Sequence, residues 1–225
     1  MTCLNNHPRL LRLHQHLMPY YDVIIFIVTL FLANSVWKLT IHGDEEGVGM
    51  VTWLGLNITP FFDYLAEQTA NAVFWLVSLV RDTIYQVDAI TLRFLSGSGS
   101  RIVWSCTPLK QSFIWLCLML TTPAVAWANN DNNDDDIRTV GNRNDTVRKS
   151  KVRARWHKLW YIPLGWLLIY FFNILRISAI LLFIEFHPDW FDILHTYIFK
   201  YLFYGMMFLL WIIYVEKIRL VLTTD

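Results

Sequence analysis

Hydrophobic and polar positions alternate in blocks rather than residue by residue. Four blocks are apolar enough, over about 20 residues each, to read as membrane-crossing helices. They are 20–41, with an uncharged core at 23–37; 102–128, uncharged from Ser112 to Ala128; 159–186; and 194–215. A fifth block, 71–95, is mixed. Val73, Phe74, Leu76, Val77, Leu79 and Val80 are followed by Arg81, Asp82, Asp88 and Arg93, with Ile84, Val87 and Leu95 at roughly helical spacing. That pattern predicts an amphipathic helix lying on the membrane or against the bundle, with a fifth span or a re-entrant segment as the alternative. The expected fold is therefore an all-α, polytopic helical bundle of four (alternatively five) transmembrane helices plus one interfacial helix.

The parts follow in order. Residues 1–19 form an N-terminal segment and 20–41 the first transmembrane helix. Residues 42–101 form an external segment, and 102–128 a helix carrying Cys106. Residues 129–158 form a flexible polar loop, 159–217 two helices carrying Arg176 and His195, and 218–225 a tail. The first block has Arg9 and Arg12 ahead of it, as a signal peptide does. Its long apolar stretch reads better as an uncleaved anchor.

Composition agrees. Of 225 residues, 55% are hydrophobic and 16% charged, less charge than a soluble domain of this size carries. A net charge of +1 identifies no nucleic-acid partner. The three cysteines, Cys3, Cys106 and Cys117, have neither disulfide-framework nor zinc-site spacing, and no metal or cofactor motif is present. The tripeptides starting at Asn57 and Asn144 match glycosylation acceptors, patterns that chance often supplies.

Charge placement orients the bundle. Loop 129–158 is Asn/Asp-rich in its first half and basic in its second, where Arg143, Arg148, Lys149, Lys151, Arg153, Arg155 and Lys158 precede the third span. Basic residues beside a span favour the cytoplasm. With Arg9, Arg12, Lys217 and Arg219 also inside, both termini are cytoplasmic. Four spans satisfy that parity, which leaves 71–95 outside.

This topology brings distant residues to one level. Arg176 and Glu185 are the only charged side chains in 159–186. An arginine at mid-bilayer costs about 3 kcal/mol even on insertion scales, so it faces protein or a wet cavity unless it snorkels to the headgroups. At 1.5 Å per residue it lies roughly 25 Å along its span, near the outer edge. The outer mouth of the second span holds Cys106, and the outer start of the fourth holds His195. A thiolate is nucleophilic, an imidazole carries protons near neutral pH, and a guanidinium offers a fork of donors for an oxyanion. Asn173, one turn before Arg176, can hold the guanidinium or add a donor. Lys110 and Gln111 flank the cysteine as supporting or substrate-binding groups. Bland readings exist as well. Cys117, mid-span, is a small buried hydrophobe; His42 and His187 compete with His195.

The segments 105–111 (Ser-Cys-Thr-Pro-Leu-Lys-Gln) and 173–177 (Asn-Ile-Leu-Arg-Ile), with His195 ahead of an aromatic-rich last span, resemble the exosortase/archaeosortase family over roughly 102–217. The resemblance implies a cysteine transpeptidase of the cell envelope, in the inner (cytoplasmic) membrane with its active site at the external face. Cys106 would be the nucleophile, Arg176 the oxyanion or substrate stabiliser and His195 the proton carrier. The partners implied are exported proteins ending in a hydrophobic sorting signal, the lipid bilayer, and a glycan or lipid acceptor. Alternatives are a cysteine protease that passes the same acyl group to water, and a non-enzymatic scaffold for envelope export.

Overall fold

The computed structural model describes residues 21–43, 49–123 and 140–219. The protein is mainly helical. Helix α1 (Tyr21–Thr40) buries one narrow stripe, Phe26, Thr29 and Ala33, at helical spacing. It packs along α3 (Leu109–Thr121). Its other faces are apolar and exposed, Phe31 by 71%, as lipid-facing side chains would be.

The chain leaves α1 directly into a small antiparallel meander, β1 (Ile41–His42), β2 (Thr52–Trp53) and β3 (Leu56–Asn57). Leu54 and Gly55 both take positive φ, 50° and 85°, in the tight turn between β2 and β3. Two such residues match the twist of a two-residue hairpin. Asn57 Oδ1 then accepts from the Thr59 N–H at 3.0 Å and the Thr59 hydroxyl at 2.7 Å, turning the chain into α2 (Thr59–Ser78).

The expected amphipathic helix over 71–95 is not formed. Helix α2 ends at Ser78, and the rest becomes sheet: β4 (Ile84–Asp88), β5 (Thr91–Phe94) and β6 (Gly99–Arg101), all antiparallel. Leu92 and Phe94 point inward and are fully buried, while Arg93 points out. That alternation has period two, whereas the helical reading rested on Ile84, Val87 and Leu95. Asp88 closes the hairpin by accepting from the Ile90 N–H at 2.9 Å, and the same bond holds its carboxyl below the ordinary aspartate pKa. The fold is thus not all-α; it carries two small sheets.

The expected count of four or five spans is met in part. Among the described residues three helices are long and apolar enough to cross a membrane: Tyr21–Thr40, Trp156–Ile184 and Phe199–Glu216. The block expected over 102–128 is helical only as the 13 residues of α3, about 20 Å long and short of a hydrocarbon core. Upstream of it the chain is extended, with a single 3-10 turn at Trp104–Cys106. Residues 124–128 lie outside the described residues, as do 1–20 and 129–139. The basic half of the expected flexible loop is helical from Val140 on, because α4 runs from Val140 to Ile184. Pro163 sits inside that helix, removing one N–H from its ladder. The last helical run comprises α5 (Phe191–Ile193), a π-turn at Leu194–Ile198, α6 (Phe199–Ile213) and a second π-turn at Tyr214–Arg219.

Two apolar cores result. One joins α1, α3, α4 and α6 through Phe26, Trp115, Tyr161, Phe203 and Trp211. The other seals the larger sheet onto α2 and the end of α4 through Val73, Val77, Leu92, Phe94, Ile177 and Leu181.

Candidate functional site

A cavity of about 750 Å³ opens at the end of the bundle where α1 finishes, α3 starts, α4 approaches its C-terminus and the last helical run begins. Its wall is built from sequence-distant pieces. Trp37, Lys38 and His42 come from the end of α1 and from β1; Trp104, Ser105 and Thr107 from the segment before α3; Lys110 and Gln111 from the first turn of α3. Arg176 comes from α4, and His195, Lys200, Phe203 and Tyr204 from the last helical run.

Arg176 is 9% exposed, and its Nε is buried without a hydrogen-bond partner. It lies eight residues before the end of α4, about 12 Å along the axis. Buried charge is stable only when paired or hydrated, so a guanidinium on a cavity wall with an unpartnered Nε has a donor to offer a ligand.

Cys106 is half-buried and ends the 3-10 turn. Its N–H donates to Val103 C=O at 2.9 Å, and Thr107 donates through its N–H (3.1 Å) and its hydroxyl (2.7 Å) to Trp104 C=O. Proline at 108 precedes α3 directly, where its missing N–H is no loss. Asn173 Nδ2 donates to the Cys106 C=O at 2.9 Å. Asn173 therefore ties the cysteine segment to α4 instead of holding the guanidinium, and its Oδ1 stays buried without a partner. Cys106 is not itself on the cavity wall; its neighbours Ser105 and Thr107 are.

His195 occupies the π-turn and stacks on Phe191, with ring centroids 5.5 Å apart and planes 10° off parallel. Of the competing histidines, His42 shares the cavity with His195, while His187 packs on Phe183 away from it. Gln111 faces the cavity with its Oε1 buried and unpartnered. Cys117 packs against the first core, as a small hydrophobe does. Glu185, the other charge in the third span, is structural. It pairs with Arg81 at 3.3 Å and accepts from the Thr83 hydroxyl at 3.3 Å, pinning the chain between α2 and β4 to the end of α4.

No family model, curated protein or solved structure matches this chain. The site is therefore read from its own geometry.

The structure brings Arg176, His195, Lys110 and Gln111 to one cavity and sets the Cys106 segment along its rim. Sequence reasoning missed Lys38, Lys200 and Tyr204 as wall residues. Lys38 and Lys200 sit at the ends of apolar helices, where a lysine reads as a snorkelling anchor. Their common depth with Arg176 was the available signal.

Proposed function

We propose that this protein is an exosortase-like cysteine transpeptidase of the cytoplasmic membrane, with the cavity at the external face. The observation that carries the reading is the buried Arg176 with its unpartnered Nε. It shares a cavity with His195 and lies one turn from Asn173, which fastens the Cys106 backbone to the same helix. The basic stretch 143–158 supports the orientation, because it lies on α4 toward the end remote from Arg176.

Cys106 gives its proton to His195 and attacks the scissile carbonyl carbon of an exported protein's C-terminal sorting signal. Arg176 donates to the oxyanion of the tetrahedral intermediate. The intermediate collapses as the C–N bond breaks, and the His195 imidazolium protonates the departing amine. A thioester on Cys106 remains, and the hydrophobic tail leaves. The amine or hydroxyl of a glycan or lipid acceptor then attacks the thioester, passing its proton through His195. The acyl group is transferred and the thiol is restored. Dividing one hard acyl transfer into two easier ones is the benefit of the covalent step.

Co-expression of a tailed substrate with the wild type and with Cys106→Ala tests the reading. Trimming should stop in the variant. Trimming that continues unchanged rejects the nucleophile. Product mass then assigns the second step: an adduct means transfer, a free carboxylate means hydrolysis. Loss of partner export in Arg176→Ala with Cys106→Ala silent would instead mark a scaffold.

A further inference from the structure

Four cationic side chains reach the cavity from separate elements: Lys38 from α1, Lys110 from α3, Arg176 from α4 and Lys200 from α6. Lys38 and Lys200 are close enough for their charges to act on Lys110. Among the described residues no aspartate or glutamate lines the wall. Like charges gathered beside low-dielectric helices repel one another, and an anion placed between them reverses that interaction.

We propose that the mouth of this cavity binds a phosphate group, with Lys38, Lys110 and Lys200 as its ligands. A carboxylate would offset one of the charges, whereas a phosphate monoester or a pyrophosphate offsets two or more and offers enough oxygens for three separate ammonium groups. Arg176 lies deeper, 9% exposed with an unpartnered Nε, and Gln111 Oε1 is likewise buried and unsatisfied. The mouth and the depth of the cavity thus differ. Lys38 and Lys200 are exposed point charges that capture an anion, while Arg176 is kept for a second group. The cavity opens where three span-length apolar helices begin or end, the level at which lipid headgroups carry their phosphates. The phosphate therefore belongs to a lipid headgroup or to a soluble phosphate compound. The proposal rests on the transpeptidase reading only in making that phosphate part of the acceptor.

Binding is measured calorimetrically on the full chain in maltoside micelles, which contain no phosphate. The probes are dioctanoyl phosphatidic acid, dioctanoylglycerol as its neutral counterpart, and inorganic pyrophosphate. Binding of phosphatidic acid without binding of dioctanoylglycerol or pyrophosphate supports a headgroup site; pyrophosphate binding at least as tightly supports a soluble phosphate. In either case Lys38→Gln/Lys110→Gln/Lys200→Gln should weaken binding at least about tenfold, and the triple arginine variant should stay within about threefold of the wild type. A wild type that binds neither phosphate overturns the proposal. That is the outcome if Asp44, Glu45 and Glu46, which follow Gly43 in the chain and lie outside the described residues, saturate the lysines. A glutamine variant that binds as tightly as the wild type overturns it too. Phosphate binding without acyl transfer leaves the anion site standing and removes the transpeptidase reading. Full acyl transfer by the glutamine variant shows that the bound phosphate is not part of the acceptor.

Discussion

The two ends of the bundle treat their polar groups differently. In the aromatic core between α1, α3, α4 and α6, polar atoms find partners. Tyr161 Oη donates to Leu210 C=O at 2.8 Å, Trp211 Nε1 to the Thr122 hydroxyl at 2.9 Å, and Trp115 Nε1 to Ile162 C=O at 3.3 Å. Thr29 and Thr121 share a hydrogen bond of 3.0 Å, and Lys158 Nζ donates to Thr122 C=O at 2.7 Å, just past the C-terminus of α3. At the cavity end, Gln111 Oε1, Asn173 Oδ1, Arg176 Nε and Ser178 Oγ are buried without hydrogen-bond partners. A bilayer penalises unsatisfied groups heavily. The satisfied end reads as built for stability, and the unsatisfied end as built to receive something.

If that division holds, substitutions at the two ends should fail in opposite ways. The largest effect is expected from Cys106→Ala: substrate trimming falls at least about a thousandfold, while thermal unfolding shifts by no more than about 1 kcal/mol. An equal loss of both would place the cysteine in the fold and not in the chemistry. His195→Ala and His42→Ala sharpen the comparison inside the cavity. The first should lower turnover by about a hundredfold or more, in keeping with a general acid–base group, and the second by much less. The reverse order would transfer the proton-carrying role to His42.

Core variants should do the opposite. Adding a methyl at Gly165 drives it into the Trp115 indole, so Gly165→Ala should destabilise by about 1–3 kcal/mol, read from chemical denaturation in micelles. Tyr161→Phe removes the hydroxyl bond to the Leu210 carbonyl, which keeps only the Tyr214 N–H, and should cost about 1 kcal/mol. Either variant, still folded, should retain the chemistry of the site.

The smallest effect lies in the larger sheet. The Ile90 N–H holds the Asp88 carboxyl below its ordinary pKa, so its contribution is present above the unfolded value, about 3.9. That contribution is lost as pH falls through the lower folded value. Hydrogen exchange at Ile90, corrected for its intrinsic rate, should therefore speed up below about pH 4. An unchanged rate would mean that the turn does not depend on the charged carboxylate.

Much of the cavity end was legible because membrane topology is one-dimensional. Once spans and loop charges are assigned, depth follows from residue number, and depth put Arg176, His195 and the Cys106 segment together. Lateral information was not legible. The amide of Asn173, read as holding the guanidinium or adding a donor, fastens the Cys106 carbonyl, a choice that depends on how α3 and α4 cross. The stretch 84–101 failed for a related reason. Arg81, Asp82, Asp88 and Arg93 mimic the polar face of a helix, while the period-two signal at Leu92 and Phe94 is short and acquires its meaning only beneath α2 and α4. The second block starts its helix later than its apolar composition suggests, because Thr107-Pro108 closes the preceding 3-10 turn.

Arg176→Met, assayed in parallel for trimming of a tailed substrate and for thermal unfolding, addresses the division between the two ends most directly. An apolar side chain of similar length removes a buried charge whose Nε has no partner, so stability should stay level or rise by about 1 kcal/mol or more. Trimming should fall by about a hundredfold or more as the oxyanion loses its donor. A variant that unfolds readily, or one that trims at the wild-type rate, would contradict the assignment of Arg176 to function.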